Sequence, residues 1–499
     1  MKHFKNELGL AGCQDCPRRN PDSADESCCA SISGALESSH YEESNFNCQT
    51  YDKSSIGDLG VGITSEMKNS EELWAQASSL IPGGGQTFSK SPMCFVEGVA
   101  PKFLERGKGS RVWDVDGNQY IDYVLGCFPM TLGYANDVID DAIKRQLQDG
   151  ITFSMMHRKE VELASRLAEI IPCAEMSRFA KNGSDATTAA VRLARAVTKR
   201  DRVICFGYHG FKDWYIGTTD RNAGVPEVVC DLTTPMRYNQ IDHLKELFDT
   251  HKGEIACLIM EPTVAEFPKP GYLEEVKEIV HANGALLVFD EMLTGFRFDL
   301  GGAQAFFGIE PDLAAFGKGL ANGMPIGVLV GKEKYMKHFE EVFFSSTYGG
   351  EALSLAAAVA GIDYIRENDV IRRLWKSGLI IFDNFTRLVK DKGMSDWINV
   401  VGYPVRNQIV IKNKKGEVDF KLISIYQQEM FKRGILCYPG LGFSSAHTDE
   451  ELMYTVFAFG DALDVLKKAI EGEDPDPYLE GNPIKPVFRG LREQRTTSN

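Results

Sequence analysis

The chain has 499 residues, of which 43 % are hydrophobic and 25 % charged, and it carries a formal net charge of −15 at pH 7. That length exceeds what a single hydrophobic core usually serves, so a large domain with a smaller one is expected. The acidic balance excludes broad binding to nucleic acid or to anionic membrane, since both require a basic face.

No apolar run is long enough to span a bilayer, and the start MKHFKNELGL has no signal-peptide core, so the expected location is the cytoplasm. Of twelve cysteines, seven (Cys94, Cys127, Cys173, Cys205, Cys230, Cys257 and Cys437) are scattered singly. Several lie in apolar runs such as RVICF and IACLIM, as reduced, buried thiols do. The other five, Cys13, Cys16, Cys28, Cys29 and Cys48, crowd the first 48 residues in a spacing that matches no zinc or iron–sulfur ligand pattern. They read as part of a cysteine-containing tail, with no metal expected, and zinc content with and without residues 1–68 decides the point.

Residues 1–68 are rich in Ser, Asp, Glu and Asn without apolar periodicity, as in a disordered extension. Order is expected from NSEELWAQASSLI, where Leu73, Trp74, Ala77 and Leu80 recur at helical spacing, and IPGGG ends that helix. Residues 69–125 supply the first part of the smaller domain, with a hairpin turn at Asp116-Gly117-Asn118. From 126 to 355, helices alternate with continuous apolar runs (RVICF, EIACLIM, GALLVFD), the mark of parallel strands covered on both faces. Residues 356–485 return to helices and a strand, QIVIK, in the second part of the smaller domain, and 486–499 form a polar tail. The fold class is α/β.

Within the large domain, AAFGKGLANG (314–323) sets Lys318 between two glycines just past an apolar run. A solvated lysine needs no such setting. Glycines there are expected to let a flat ligand approach the backbone. Asp290 closes the apolar run LLVFD, where a carboxylate is costly without a partner. In a parallel sheet both residues reach the carboxyl ends of strands, where open α/β sheets bind ligands. Asn182, Gly183 and Ser184 precede a helix with an apolar face of Ala189, Ala190, Leu193, Ala194 and Val197, a place for a phosphate or for an ordinary cap on Ser184 or Asp185. Tyr208 and His209 follow the strand RVICF, and Thr347 lies in a Ser/Thr-Gly cluster before a small-residue helix. Each signal also has an ordinary structural reading. Together they are what pyridoxal 5'-phosphate requires: a Schiff-base lysine that is also a general base, a carboxylate for the ring nitrogen, an aromatic lid and a phosphate cup.

At these residues the chain resembles the class III aminotransferases of the fold-type-I pyridoxal phosphate enzymes, most of all the branch containing glutamate-1-semialdehyde aminomutase. PGG at 82–84, DVDGNQYIDYV, NGSDAT, YHG, MEP, FDEMLTGFR, GGAQAFFGIEPDL, FGKGLANGMPIG and SSAHTDEEL follow the family's order from about residue 81 to about 465. The resemblance implies a mainly parallel seven-stranded type of sheet flanked by helices, with an α+β small domain built from both ends of the chain. It implies that Lys318 is the Schiff-base lysine, Asp290 the partner of the pyridinium nitrogen and Tyr208 the residue over the ring. Asn182, Gly183, Ser184 and His209 complete the cofactor contacts. Thr347 matches the phosphate-binding Thr that a neighbouring subunit contributes, which implies a homodimer with shared sites. Glu261 and Glu291 rank as supporting residues.

The departures lie where substrate is read. The aminomutase has a Ser and an Arg soon after PGG; here Thr87 and Lys90 stand there, and Lys lacks the bidentate fork of Arg. Gly440 replaces a Glu of the aminomutase, and the Asn after its EP motif is absent from EPTVAEFPKP. Thr87, Lys90, Glu261, Tyr438 and Gly440 are the candidate substrate residues, with His157 as either a substrate contact or a residue at the start of a helix. The leading expectation is a transaminase using glutamate and an aldehyde or ketone acceptor. An intramolecular aminomutase is the alternative, and a binding scaffold without turnover is a third reading that Lys318 and Asp290 together count against.

Overall fold

The computed structural model describes residues 59–63, 66–472 and 474–487. The five N-terminal cysteines and the tail from 488 onward lie outside the described residues. The first helix among the described residues, α1 (Lys68–Leu80), follows the expected spacing, but Leu73 and Leu80 on its apolar face are exposed and only Ser70 is buried. It ends at the 3₁₀ turn Pro82–Gly84, where Trp74 closes over Gly84 so tightly that a Cβ would sit 2.2 Å from the ring.

Three antiparallel strands follow: β1 (Leu104–Lys108), β2 (Arg111–Asp114) and β3 (Gln119–Asp122). The turn between β2 and β3 is organised by Asp114, whose Oδ1 accepts the N–H groups of Asp116 (3.0 Å) and Asn118 (2.8 Å). Gly117 takes the left-handed conformation that this turn requires (φ 89°). The short strand Ile435–Leu436 joins β3 in parallel, so both ends of the chain share one four-stranded sheet.

Helices α2 (Asp137–Asp149) and α3 (Arg158–Ile170) lead into a second sheet. Its strands are β4 (Met176–Ala180), β5 (Arg202–Phe206), β6 (Thr233–Pro235), β7 (Ile255–Met260), β8 (Leu286–Asp290), β9 (Leu313–Phe316) and β10 (Gly327–Gly331), in the spatial order β4-β10-β9-β8-β7-β5-β6. Only β10 runs against its neighbours. This is the α/β fold expected. β7 and β8 are buried at every position, which explains their unbroken apolarity.

Helix α4 (Gly183–Thr198) lays Ala186, Ala189, Ala190, Leu193 and Ala194 against Val203, Ile259, Val288 and Ala315 of the sheet. Alanines on this face let the helix approach closely; a larger side chain would push it from the strand ends that it must reach. The long helices α5 (Ile241–Thr250) and α6 (Tyr272–Ala282) occupy the crossovers before β7 and β8. After β10, α7 (Ala352–Glu367) packs on α2, and α8 (Val370–Asp391) leads to the hairpin of β11 (Ile398–Tyr403) and β12 (Arg406–Ile411). Helices α9 (Phe420–Lys432) and α10 (Asp449–Glu471) complete this part.

The seven cysteines within the described residues are free: five buried, with Cys94 and Cys127 half-buried. Burial pushes the thiols of Cys205 and Cys257 up to about 12, so neither supplies a thiolate near neutral pH. Among the described residues no helix is long and apolar enough to cross a membrane.

Candidate active site

The register of the parallel strands gathers the site. Phe206 pairs with Met260, Met260 with Phe289, and Asp290 with Ala315, so β5, β7, β8 and β9 end at one edge. Tyr208, Glu261, Asp290 and Lys318 sit at or just beyond these four ends. A carboxylate closing a strand here escapes the sheet interior while staying shielded: Asp290 is 2 % exposed. Its Oδ2 lies 2.8 Å from His209 Nδ1, and its Oδ1 accepts the Met292 N–H at 3.1 Å. His209 Nε2 is buried without a hydrogen-bond partner among the described residues. His209 thus addresses Asp290 and lies beneath the crevice, while the Tyr208 ring before it is half exposed and meets Tyr215 edge-on at 5.6 Å.

Lys318 follows β9 with φ 41°, and Asn322 in the same loop is also left-handed (φ 46°). Asn322 fixes the loop by accepting the Leu132 N–H (2.9 Å) and donating to the Gly133 carbonyl (2.8 Å). The flanking glycines also answer to a need that the sequence does not show. Gly317 is extended, and a Cβ on it would lie 2.8 Å from Met292 Sδ; one on Gly319 would lie 2.8 Å from Thr131 Oγ1. They make room for neighbouring protein that packs beneath the lysine. The Lys318 side chain keeps partial access from the crevice, yet protein encloses its ammonium. That enclosure pushes its pKa down to about 8, against the opposing pull of Glu261, with Arg406 lowering it and Asp290 and Cys127 raising it. A lysine so placed reaches its neutral, nucleophilic form near physiological pH.

At the head of α4, the cap is Asn182 and not Ser184 or Asp185; Asp185 instead reaches back to the Asn182 N–H at 3.1 Å. The first N–H groups of a helix have no acceptor within it and aim a positive dipole end outward. Gly183 stands so close to Met292 that a Cβ would meet its Sδ at 2.7 Å, which ties this helix start to the residue two beyond Asp290. The Ser184 hydroxyl accepts the Phe211 N–H at 3.3 Å, and Gly210 is glycine because a Cβ would sit 2.0 Å from that oxygen.

The remaining candidates are dispersed. Thr87 and Lys90 are exposed at the 3₁₀ turn Phe88–Lys90. The Tyr438 hydroxyl donates to the Ser89 carbonyl (2.6 Å) and lies 3.2 Å from Cys127 Sγ, joining this turn to the far part of the chain. At Gly440 a Cβ would lie 2.2 Å from the Asn407 carbonyl oxygen, so this backbone accepts no side chain there. His157 caps α3, accepting the Lys159 N–H at 3.4 Å and stacking on Phe153 at 5.1 Å, which fits its reading as a residue at the start of a helix. Thr347 is exposed in the loop before α7. Glu291 is fully buried and accepts N–H bonds from Ala303 (2.7 Å) and Gln304 (2.9 Å) besides the Thr294 hydroxyl, so it braces the loop behind Asp290.

Two cations were missed in the sequence. Arg406 opens β12 and pairs with Glu261 at 2.8 Å; Arg297 is buried, donating to the carbonyls of Phe128 (2.7 Å) and Phe443 (3.3 Å). Arg297 left a local signal, a cation between Phe296 and Phe298, whereas Arg406, followed by Asn407 and Gln408, left none.

The donor set fits pyridoxal phosphate. An enclosed lysine, a shielded carboxylate, an open aromatic face and a helix start converge on one strand-end edge. Residues 96–429 match the family described as Aminotransferase class-III. The 3-aminobutyryl-CoA aminotransferase of Cloacimonas acidaminovorans is 36 % identical over 415 residues, covering 81 % of this chain and 99 % of that protein. A glutamate-1-semialdehyde 2,1-aminomutase of Methanosphaera stadtmanae is 33 % identical over 428 residues, covering 81 % and 100 %. An omega-transaminase from Sphaerobacter thermophilus superposes with a TM-score of 0.73 at 26 % identity, covering 80 % of this chain and 98 % of that one. The chain belongs to the class III aminotransferases and is a pyridoxal phosphate-dependent enzyme.

Proposed function

We propose that this enzyme moves an amino group from a donor, glutamate in the first instance, to an aldehyde or ketone acceptor, with Lys318 as its central residue. The observation that carries the reading is the enclosed Lys318 ammonium at the strand-end edge it shares with Asp290 and Glu261, pushed down to about 8 by burial against the upward pull of those two carboxylates. When bound, pyridoxal phosphate supplies an electron sink for the substrate carbon that gives up a proton. Lys318 would hold the cofactor and, as a neutral amine, would carry that proton. Asp290, oriented by His209 and the Met292 N–H, would keep the ring nitrogen charged, and Tyr208 would cover the ring face. Gly183 and Ser184 receive the phosphate at the start of α4.

A second copy of the chain completes the site in this reading, with Thr347 reaching the phosphate of its neighbour. Phe343 (79 % exposed), Tyr348 (58 %) and Met156 (82 %) leave an apolar surface around that loop and the α3 start, as an interface between subunits requires. The aminomutase alternative draws on relatives such as the Methanosphaera enzyme. Against it stands Gly440, where the backbone has no space for the carboxylate of that branch.

The test is the visible absorption of the purified protein with added pyridoxal phosphate, before and after glutamate, beside Lys318→Ala. The lysine-bound band should form, convert to the pyridoxamine form with glutamate, and be missing in the variant, with turnover reduced by at least ~10³-fold. A band that glutamate leaves untouched moves the reading to another donor or to the mutase. A protein that remains colourless sinks it.

A further inference from the structure

Glu261 and Arg406 come from separate sheets and meet at the strand-end edge that also carries Lys318. Glu261 directly follows β7 and is 6 % exposed. Its Oε1 accepts the Tyr208 N–H at 3.0 Å, and its Oε2 accepts from the Arg406 guanidinium at 2.8 Å. Arg406 donates its other terminal nitrogen to the Thr263 carbonyl at 2.7 Å, so both of its forks are engaged. The chain gives up a side chain to permit this: Gly207 has φ 104°, and a Cβ there would lie 2.6 Å from Glu261 Oε1. A buried carboxylate that fixes a backbone N–H with one oxygen and a cation with the other has a defined orientation and a defined charge.

We propose that Glu261 and Arg406 are positioning residues that act as one unit: the pair seats the Tyr208 backbone and governs the proton on Lys318. Glu261 is thereby removed from the substrate contacts. The inference rests on the reading of Lys318 given above. The charged and titratable groups facing Lys318 are Glu261, Arg406, Asp290 and Cys127, and Arg297 in turn faces Arg406. Glu261 exerts the largest single pull toward the protonated amine, and Arg406 opposes it. Burial pushes the Glu261 carboxyl up, but Arg406, the Tyr208 N–H and His209 outweigh burial and hold it below its ordinary value, so the charge is present throughout the working range. The two substitutions therefore have opposite signs. Neutralising Glu261 leaves Arg406 unopposed and releases the proton from Lys318 Nζ at lower pH; neutralising Arg406 leaves Glu261 unopposed and releases it at higher pH.

The experiment is a pH titration of the visible band of the full chain loaded with pyridoxal phosphate. Glu261→Gln should lower the midpoint by about 1 unit and Arg406→Met should raise it by a similar amount. Arg406→Lys, which keeps the charge, should return the midpoint toward that of the wild type. Gln can still accept the Tyr208 N–H, and the Arg406 variants carry the test alone if Glu261→Gln does not fold. A normal wild-type band whose midpoint ignores the substitutions, or moves the same way in Glu261→Gln and Arg406→Met, overturns this inference and leaves the function standing. A wild type that never forms the band overturns the function and the inference with it.

Discussion

The strand-end crevice and the turn that carries Thr87 and Lys90 are built on opposite principles. In the crevice, Asp290, Glu261 and His209 are buried and each has a bond shorter than about 3 Å to another site residue, so their positions are fixed before any ligand arrives. On the turn, Thr87 and Lys90 are exposed, and the segment is tied down through backbone contacts such as the Ser89 carbonyl with Tyr438. Chemistry that must be the same at every turnover is assigned to groups the fold itself orients. In the proposed function, recognition would fall to side chains such as these, which can change at little cost to folding.

Substitution at the centre of the crevice should give the largest effect. Asp290→Asn keeps an acceptor for the Met292 N–H, and His209 can change tautomer to meet the new amide, so folding should survive. The negative charge is lost, and turnover should fall by ~10²–10³-fold, as for removal of one preorganised electrostatic contact. The check is single-turnover transamination beside the thermal midpoint; an undiminished rate would remove Asp290 from the ring nitrogen.

Between the two regions lies Gly440, whose role is steric. Gly440→Ala sets a Cβ against the Asn407 carbonyl, a backbone atom that cannot swing aside, and should destabilise the chain by about 1–3 kcal/mol in a denaturant titration. If the variant is as stable as the wild type, the segment has slack, and the missing carboxylate is a matter of selection and not of space.

A smaller effect separates Asp290 from its neighbour. Burial pushes the Glu291 carboxyl up to about 7 from an ordinary 4.5, since its partners are N–H and hydroxyl groups with no cation among them. A raised carboxyl favours the neutral form in the folded state. Its stabilisation is therefore complete below pH 4.5 and is lost as pH climbs through about 7, by at most ~3 kcal/mol. Asp122, pushed up to about 6 by burial, acts with the same sign. In Glu291→Gln the thermal midpoint should decline less steeply with rising pH than in the wild type, because the Thr294 hydroxyl can turn to accept from the new amide. Parallel curves would mean that Glu291 is ionised in the fold.

Much of the crevice was legible because parallel strands advertise themselves as unbroken apolar runs and place whatever follows them at one edge. That placed Asp290, Lys318 and Tyr208 at one edge, while their roles needed the whole set and the family resemblance. Arg406 could not be placed there, since its partner Glu261 is 145 residues away and only the meeting of the β11–β12 hairpin with β7 brings them together. The glycines beside Lys318 were legible as a constraint but not as to its cause, because the crowding atoms belong to Met292 and Thr131. The face of α1 shows the reverse limit: its spacing gives the helix, while nothing local tells whether Leu73 and Leu80 are covered.

The smallest effect expected lies on the turn. Lys90 is exposed, and an Arg there should change stability by less than ~0.5 kcal/mol. A guanidinium can engage a carboxylate with two parallel N–H bonds where the ammonium offers a point charge, a difference on the order of 1 kcal/mol at a solvent-accessible site. Lys90→Arg should therefore lower KM for an acceptor bearing a carboxylate by up to ~5-fold while kcat stays the same, because the contact is made equally in ground and transition states. An acceptor without a carboxylate supplies the control. If KM falls for both acceptors alike, Lys90 acts on the shape of the turn; if it falls for the carboxylate alone, the turn is where this enzyme reads its substrate.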